Sequence, residues 1–239
     1  MKKKYSKKLN LVIVIPVYNE EQVINKVIHD WLKIIKNLKA KLLIINDGSK
    51  DRTLKILKRI KSKKIIVKSQ KNTGHGEALM NGYKFAIEHK PDYIFQVDSD
   101  DQFSTKNFNN FWSKRKVYDL QIGYRKNRFD PLQRLIITRI LRLALFIVFG
   151  VLIYDSNIPY RLMNAKKFTL IFNKLDKNFN APNILIAIIF FKKFKCKTNL
   201  VIHKERRTGQ VFAVNFKLFK FCFNSFLQLM KFRFKNLIV

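Results

Sequence analysis

Cysteine is scarce: Cys196 and Cys222 are the only two in 239 residues. They stand far apart with no second Cys or His at ligand spacing, which argues against a disulfide framework and a zinc site and fits a reducing, cytoplasmic compartment. Seven glycines and five prolines are too few for a low-complexity or disordered chain, and nearly half the residues are hydrophobic. Acidic residues are few as well. Sixteen Asp and Glu face forty-nine Lys and Arg, a formal net charge of +33, which implies attraction to something anionic: nucleic acid, an acidic membrane face or phosphorylated substrates. Heavy use of Lys, Asn, Ile and Phe also fits a coding bias that leaves many lysines with no specific task.

Long hydrophobic runs are missing too. The N-terminus MKKKYSKKLNLVIVIPVYNEE has the basic start of a signal peptide, but its apolar run is only seven residues, contains Pro16 and meets Glu20 and Glu21 directly. It reads as a first buried strand ended by Pro16. From Leu135 to Tyr154 the chain is almost apolar, yet Arg139 and Arg142 leave an uninterrupted run of twelve residues, Leu143 to Tyr154, short of the ~20 that a spanning helix needs. That segment is expected to lie at an interface rather than cross a bilayer.

What is present is an alternation. Runs at 11–17, 41–46, 64–69, 93–98 and 119–123 read as strands, separated by helical patterns: Val23, Val27, Trp31, Ile34 and Leu38 behind Asn19 as N-cap, then Leu54, Leu57 and Ile60. The expected fold class is α/β, a mainly parallel central sheet flanked by helices. In such sheets ligands bind beyond the carboxyl ends of the strands. Three polar clusters fall there: Tyr18-Asn19-Glu20, Asn46-Asp47-Gly48-Ser49 and Asp98 to Asp101. Near the C-terminus Lys217, Lys220, Asn224, Gln228, Lys231 and Lys235 oppose Phe216, Phe219, Phe223, Phe226, Met230 and Phe234 at helical spacing. This basic amphipathic helix either packs on the domain or lies on a membrane, and the apolar block Ile184 to Phe191 adds weight to the second reading.

The chemistry concentrates in VDSDDQF, Val97 to Phe103. In extended chain, residues i and i+2 share a side, so Asp98 and Asp100 converge on one hard cation, Mg²⁺ or Mn²⁺, with positions left for phosphate oxygens. A solvated acidic turn is the plain alternative for an isolated D-x-D; the surrounding clusters weigh against it. Gly74, Gly76 and Gly82 lack the G-K-[ST] of a phosphate loop, and close helix packing is their simpler explanation.

The ordered set IPVYNE (15–20), INDGSKDRT (45–53), NTGHGEALMNGYKFA (72–86), VDSDDQF (97–103), IGYR (122–125), DSNIPYRLM (155–163) and HKERRTG (203–209) resembles family 2 glycosyltransferases of the GT-A fold, a Rossmann-like architecture. The polyprenyl-phosphate branch, which includes dolichyl-phosphate mannose synthase, is the nearest in pattern. The resemblance implies a nucleotide-sugar donor held by Pro16, Tyr18, Asn19, Glu20, Asp47, Gly74, Gly76 and Asp98. It also implies a divalent metal at Asp98 and Asp100 with Gln102 as a further ligand, and arginines near the phosphates at Arg125 and Arg206. Asp155 opens the acceptor side, so Asp100, Arg125, Asp155 and Arg206 form the implied catalytic set. Asn46 replaces an Asp common in relatives, and Asp101 stands where relatives often have Gly and reads as solvated. Arg128, Arg134 and Arg161 are weaker candidates; His203 reads as structural, and His75 and His89 carry no assignment.

The implied reaction is inverting transfer of a sugar from the nucleotide to a polyprenyl (undecaprenyl or dolichyl) phosphate, on an enzyme peripheral to the inner face of the cell membrane, with an integral membrane partner conceivable. A sugar hydroxyl in cell-envelope polysaccharide synthesis is the alternative acceptor; it needs a general base, for which Asp155 is the carboxylate at hand. A basic nucleic-acid-binding protein and a catalytically silent membrane adaptor are remote. No helix-turn-helix, RNP-like or zinc-finger pattern supports the former, and the carboxylate cluster would repel phosphate without a metal. The expected organisation is a nucleotide-sugar half at 1–130, an acceptor-side half at 131–210 with the interfacial helix, and the amphipathic helix at 211–239.

Overall fold

The computed structural model describes residues 8–125, 132–173, 175, 179, 181–205 and 216–236. Seven strands form one sheet: β1 (Leu11–Val17), β2 (Ala40–Asp47), β3 (Ile65–Gln70), β4 (Tyr93–Val97), β5 (Leu120–Tyr124), β6 (Tyr160–Asn164) and β7 (Cys196–Leu200). Their order is β3-β2-β1-β4-β6-β5-β7. β1 lies parallel between β2 and β4, β2 pairs parallel with β3, and β5 pairs parallel with β7. Only β6 runs the other way, inserted between β4 and β5. The sheet thus draws strands from both sides of residue 130.

Helices α1 (Ile24–Ile34), α2 (Thr53–Arg59), α3 (His75–Glu88), α4 (Phe108–Ser113), α5 (Leu132–Phe149), α6 (Ala165–Phe172), α7 (Pro182–Lys193) and α8 (Phe216–Asn236) accompany the sheet. The five strands read from apolar runs are all present, within a residue or so at each end. β1 and β2 are buried on both faces, as their unbroken apolar runs require in a covered parallel sheet. β1 extends to Val17, one residue past Pro16.

The period of two in β4 divides the core. Phe95 enters an aromatic cluster, with ring centroids 4.8 Å from Tyr160, 5.2 Å from Phe108 and 5.4 Å from Trp31. Gln96 points to the opposite side, where α3 and α7 pack. There Gly82 of α3 is required by close approach: a Cβ would stand 2.5 Å from Val14 Cγ1 and 3.1 Å from Ile45 Cγ1. That agrees with the packing explanation for this glycine.

Several expectations change. Asn19 is not the cap of α1; the helix starts at Ile24 behind Val23, and Asn19 sits in the left-handed region with φ 52°. Leu38 falls beyond the end of α1. The block Ile184 to Phe191 belongs to α7, whose residues 182–190 are all buried, so it is core and lends no weight to an interface. In α8 the face turned inward carries Ser225 and Leu229, while Phe223 and Phe234, assigned to one apolar stripe, are 53% and 74% exposed. Among the described residues no helix is long and apolar enough to cross a membrane.

Candidate active site

Topology gathers the site. β1, β2 and β4 run parallel, so the segments after Val17, Asp47 and Val97 emerge at one edge. β6 is antiparallel and pairs Tyr160 with Val97, which brings the preceding loop, with Asp155, to the same edge. β5 ends there too, delivering Arg125. Eight of the chain's sixteen acidic residues, Glu20, Glu21, Asp47, Asp51, Asp98, Asp100, Asp101 and Asp155, lie in or beside these segments of a protein whose net charge is +33.

At the edge beyond β1 and β2 the clusters clip to one another. Asn19 Oδ1 accepts from the Lys50 amide at 2.8 Å, the Asn19 amide donates to Ser49 Oγ at 3.1 Å, and the Glu20 amide donates to Thr53 Oγ1 at 2.8 Å. Tyr18 is left 42% exposed at the edge. Asp47 is buried, and its carboxylate organises the next loop: Oδ1 accepts from the Thr73 amide at 3.0 Å and Gln70 Nε2 at 2.9 Å, and Oδ2 from the Gly74 amide at 2.9 Å. Gly74 has φ 94° with open space where a Cβ would be, and Gly76 is the second residue of α3. Gly48 has φ 68° and a Cβ there would meet the Asn72 amide nitrogen at 2.6 Å, so this turn admits only glycine.

Asp98 and Asp100 follow β4. Burial, joined by the charge of Asp100, pushes the Asp98 carboxyl up to about 6, against the opposing pull of His75, Arg125 and the Gln96 amide. Two carboxylates in such conflict fit a divalent cation, which removes the repulsion that the protein alone does not. His75, unassigned from sequence, opens α3 with Nε2 3.8 Å from Asp98 Oδ1. The Gln102 side-chain amide donates to the Lys204 carbonyl at 3.3 Å, and the Gln102 backbone carbonyl accepts from the Lys204 amide at 2.7 Å. Gln102 therefore stitches the D-x-D loop to the segment before Arg206, itself outside the described residues, as is Arg128. Arg134 lies in α5 with its side chain outside the description.

Asp101 is not a solvated bystander. Lys26 Nζ donates to both of its oxygens at 2.9 and 3.0 Å, Lys204 Nζ lies 3.8 Å away, and the residue has φ 57°. The left-handed backbone explains in physical terms why Gly suits this position.

After β5 and before β6, Arg125 and Asp155 are paired: Nε to Oδ2 at 2.8 Å and Nη2 to Oδ1 at 3.1 Å, with side chains only 14% and 4% exposed. Arg161, ranked low from sequence, is fully buried and donates to backbone carbonyls, Nη1 to Asn183 at 2.9 Å and Nη2 to Ile158 at 2.7 Å and Ser156 at 3.1 Å. It contacts no solvent-borne phosphate; it holds the loop that carries Asp155. His203 forms a bridge with Phe103 and packs against its ring at 5.1 Å, in keeping with a structural role.

The profile of the glycosyl transferase family 2 matches residues 12–197, which spans every described segment of this site up to β7. The chain belongs to glycosyl transferase family 2. The uncharacterized glycosyltransferase YkoT of Bacillus subtilis (strain 168) is 27% identical over 226 residues, 90% of this chain and 66% of the relative. The UDP-N-acetylglucosamine–dolichyl-phosphate N-acetylglucosaminyltransferase of Methanococcus voltae is 31% identical over 107 residues, 38% of this chain and 41% of that one. Two uncharacterized proteins of Methanocaldococcus jannaschii are covered over 56% and 46% of their length, so the chain spans about half to two thirds of these relatives. Glucosyl-3-phosphoglycerate synthase from Mycobacterium tuberculosis, solved with Mn²⁺, UDP and glucosyl-3-phosphoglycerate, has the same fold: TM-score 0.67 at 16% identity over 93% of this chain and 79% of that one. The family 2 chain thus has the GT-A architecture its motifs imply.

Proposed function

We propose that this family 2 protein transfers a sugar, with inversion, from a nucleotide-sugar donor to a polyprenyl phosphate at the cytoplasmic face of the membrane. The observation that carries the acceptor class is the Arg125–Asp155 pair. Both oxygens of Asp155 are engaged by one guanidinium, so this carboxylate is poorly placed to take a proton from a sugar hydroxyl. A lipid phosphate arrives already anionic and asks only for positioning, which an arginine held rigidly by Asp155 and extended at the edge beside Asp98 supplies.

Tyr18, Asn19 and Glu20 line the donor side, with the exposed Tyr18 ring suited to a nucleotide base, and Asp47 fixes the Thr73–Gly74 loop beneath it. Asp98 and Asp100 would hold Mg²⁺ or Mn²⁺, which offsets the charge developing on the departing diphosphate when bound. The acceptor oxygen attacks the anomeric carbon from the side of Arg125, opposite the bond to the diphosphate. Arg206, by its place in the ERRTG motif, completes the basic environment of the acceptor phosphate.

The outer surface supports a membrane-borne acceptor. Along α5, Ile136, Ile140, Leu143 and Ile147 recur at steps of four, three and four and are all exposed, Ile147 to 72%. Arg142 of the same helix lies over the Tyr154 ring at 5.1 Å and donates to the Tyr154 carbonyl at 3.1 Å, one residue from Asp155. An apolar stripe carrying Arg139 and Arg142, anchored beside the acceptor loop, suits an anionic bilayer whose headgroups present the phosphate. Exposed Phe223, Leu227 and Phe234 with Lys220 and Lys231 extend this character on α8.

The test is transfer of label from a panel of nucleotide sugars to polyprenyl phosphate with Mg²⁺, Mn²⁺ or chelator, comparing wild type with Asp100→Ala. Metal- and Asp100-dependent labelled lipid is expected. Metal-dependent nucleotide-sugar binding with no labelled lipid moves the acceptor to a sugar hydroxyl; the absence of both signals overturns the transferase reading.

A further inference from the structure

A line of fully or nearly buried polar side chains crosses the core between the two halves of the site. Tyr83 of α3, wholly buried, places its hydroxyl 3.1 Å from Gln96 Oε1 and 3.2 Å from Asn183 Oδ1. Gln96 Nε2 lies 3.5 Å from Asp98 Oδ1. At the other end the Asn183 carbonyl accepts from Arg161 Nη1, and the same guanidinium holds the Ser156 and Ile158 carbonyls of the loop that begins with Asp155. Gln96 and Arg161 are also cross-strand partners in the β4–β6 ladder.

Proton counting gives the line a direction. A hydroxyl has one proton, so Tyr83 donates to one amide oxygen and accepts from the other residue's NH₂. Gln96 must keep its NH₂ toward the Asp98 carboxylate, so its oxygen faces Tyr83 and receives the proton. Asn183 then turns its NH₂ to the Tyr83 oxygen. Donation runs one way, from Asn183 through Tyr83 and Gln96 to Asp98. Such a buried line is costly unless every member is satisfied, and a family fold could fill this space with apolar side chains, as it does on the Phe95 side of β4.

We infer that Tyr83, Gln96, Asn183 and Arg161 are positioning residues that set the Asp98 carboxylate and the Asp155 loop in one register, so that donor and acceptor meet at reacting distance. This rests on the division of the edge into donor and acceptor sides. None of the four touches the reacting atoms; each acts through Asp98 or through the loop holding Arg125. Near-attack geometry is sensitive to displacements of about 1 Å, worth about a hundredfold in rate, so loosening one link is felt at the chemical step more than in binding.

The test variant is Tyr83→Phe, which keeps the ring packed 4.8 Å from Phe168 and deletes only the hydroxyl. Two readouts are taken on the full-length chain. Hydrogen exchange is expected to speed up by about threefold or more at the Ile158 amide, which donates to the Asp155 carbonyl, although Tyr83 touches neither residue. In transfer assays kcat is expected to fall about tenfold while both KM values stay within about threefold. Arg161→Lys, which keeps charge but loses the fork onto three carbonyls, is expected to reproduce the split. Unchanged exchange at 155–158 in a folded Tyr83→Phe protein overturns the inference. So does a kcat equal to wild type, or a loss confined to KM. If wild type transfers to neither acceptor class, the functional reading fails, and the exchange measurement still decides whether the line couples the two sides.

Discussion

Arg125 grips Asp155 through both carboxylate oxygens, at 2.8 and 3.1 Å, in a place where neither side chain sees much water. Arg125 was expected at the acceptor phosphate, and Asp155 as a base only where the acceptor is a sugar hydroxyl; the structure ties the two into one rigid ion pair. Asp155→Asn keeps the shape but leaves the guanidinium short of a counter-charge. Removing one partner of a buried pair costs on the order of 3 kcal/mol, so the melting temperature should drop by roughly 6–12 °C. Transfer should be lost mainly as a rise in acceptor KM. Azide or formate added to Asp155→Ala should restore nothing; rescue by either would identify Asp155 as a general base and sink the phosphate reading.

If Asp98 and Asp100 hold the proposed divalent metal, the raised Asp98 carboxyl makes its binding pH-dependent. Its folded value, about 6, stands above the ordinary 3.8, so the native state holds this proton more tightly than the unfolded chain does. Ionising Asp98 therefore opposes folding: the penalty is absent below pH 3.8, grows through the window up to 6, and is constant above it. For metal the proton must leave. Mn²⁺–nucleotide affinity should fall about tenfold per pH unit below 6 and level off above it, measured by calorimetry from pH 5 to 8. Asp98→Asn should bind weakly with no such slope; a slope retained in that variant would assign the proton elsewhere.

Asp101 separates from its neighbours in role. Paired with Lys26, which is 54% exposed, it contributes no more than about 1 kcal/mol as a surface ion pair, and its φ of 57° is one that glycine adopts without strain. Asp101→Gly should melt within about 3 °C of wild type and retain transfer within about threefold, while Asp100→Ala abolishes it. Equal losses in the two variants would put Asp101 in the proposed metal site.

The parallel half of the sheet and its polar edge were legible because unbroken apolar runs and i, i+2 carboxylates are local patterns. β6 was not: Arg161 and Asn164 look foreign to a buried strand, and only distant carbonyls on Asn183, Ser156 and Ile158 satisfy the arginine. The same limit hid Asp155 behind Arg125 and Asp101 behind Lys26, since pair partners 30 and 75 residues apart leave no spacing to read. Composition misled in the helices. Ile184 to Phe191 and the α5 stripe are equally apolar, yet one is core and the other exposed, a difference set by tertiary packing. In α8 periodicity found a helix and missed which face turns inward, because Phe and Lys alternate too densely for one stripe to dominate.

Those exposed α5 side chains offer the most direct check on where the protein works. Ile140, Leu143 and Ile147 are 63%, 60% and 72% exposed, so replacing all three with Ser removes little core packing and should move the melting temperature by less than about 3 °C. On a bilayer the same change removes three side chains, each worth about 1.5–3 kcal/mol when fully buried. Even at half burial that amounts to about 2–4.5 kcal/mol and weakens partition by roughly fortyfold or more. Flotation with vesicles of anionic phospholipid should recover wild type with the lipid and leave the triple variant behind. Raising the salt should weaken wild-type binding, because each Lys or Arg near the surface contributes about 1 kcal/mol that screening removes. Transfer to polyprenyl phosphate in vesicles should fall with binding, while transfer to a short-chain, water-soluble acceptor phosphate should survive, since the stripe lies outside the chemistry. If wild type ignores the vesicles at low salt, or if the triple variant floats as well as wild type, α5 is not the membrane face and the lipid-phosphate reading loses its surface.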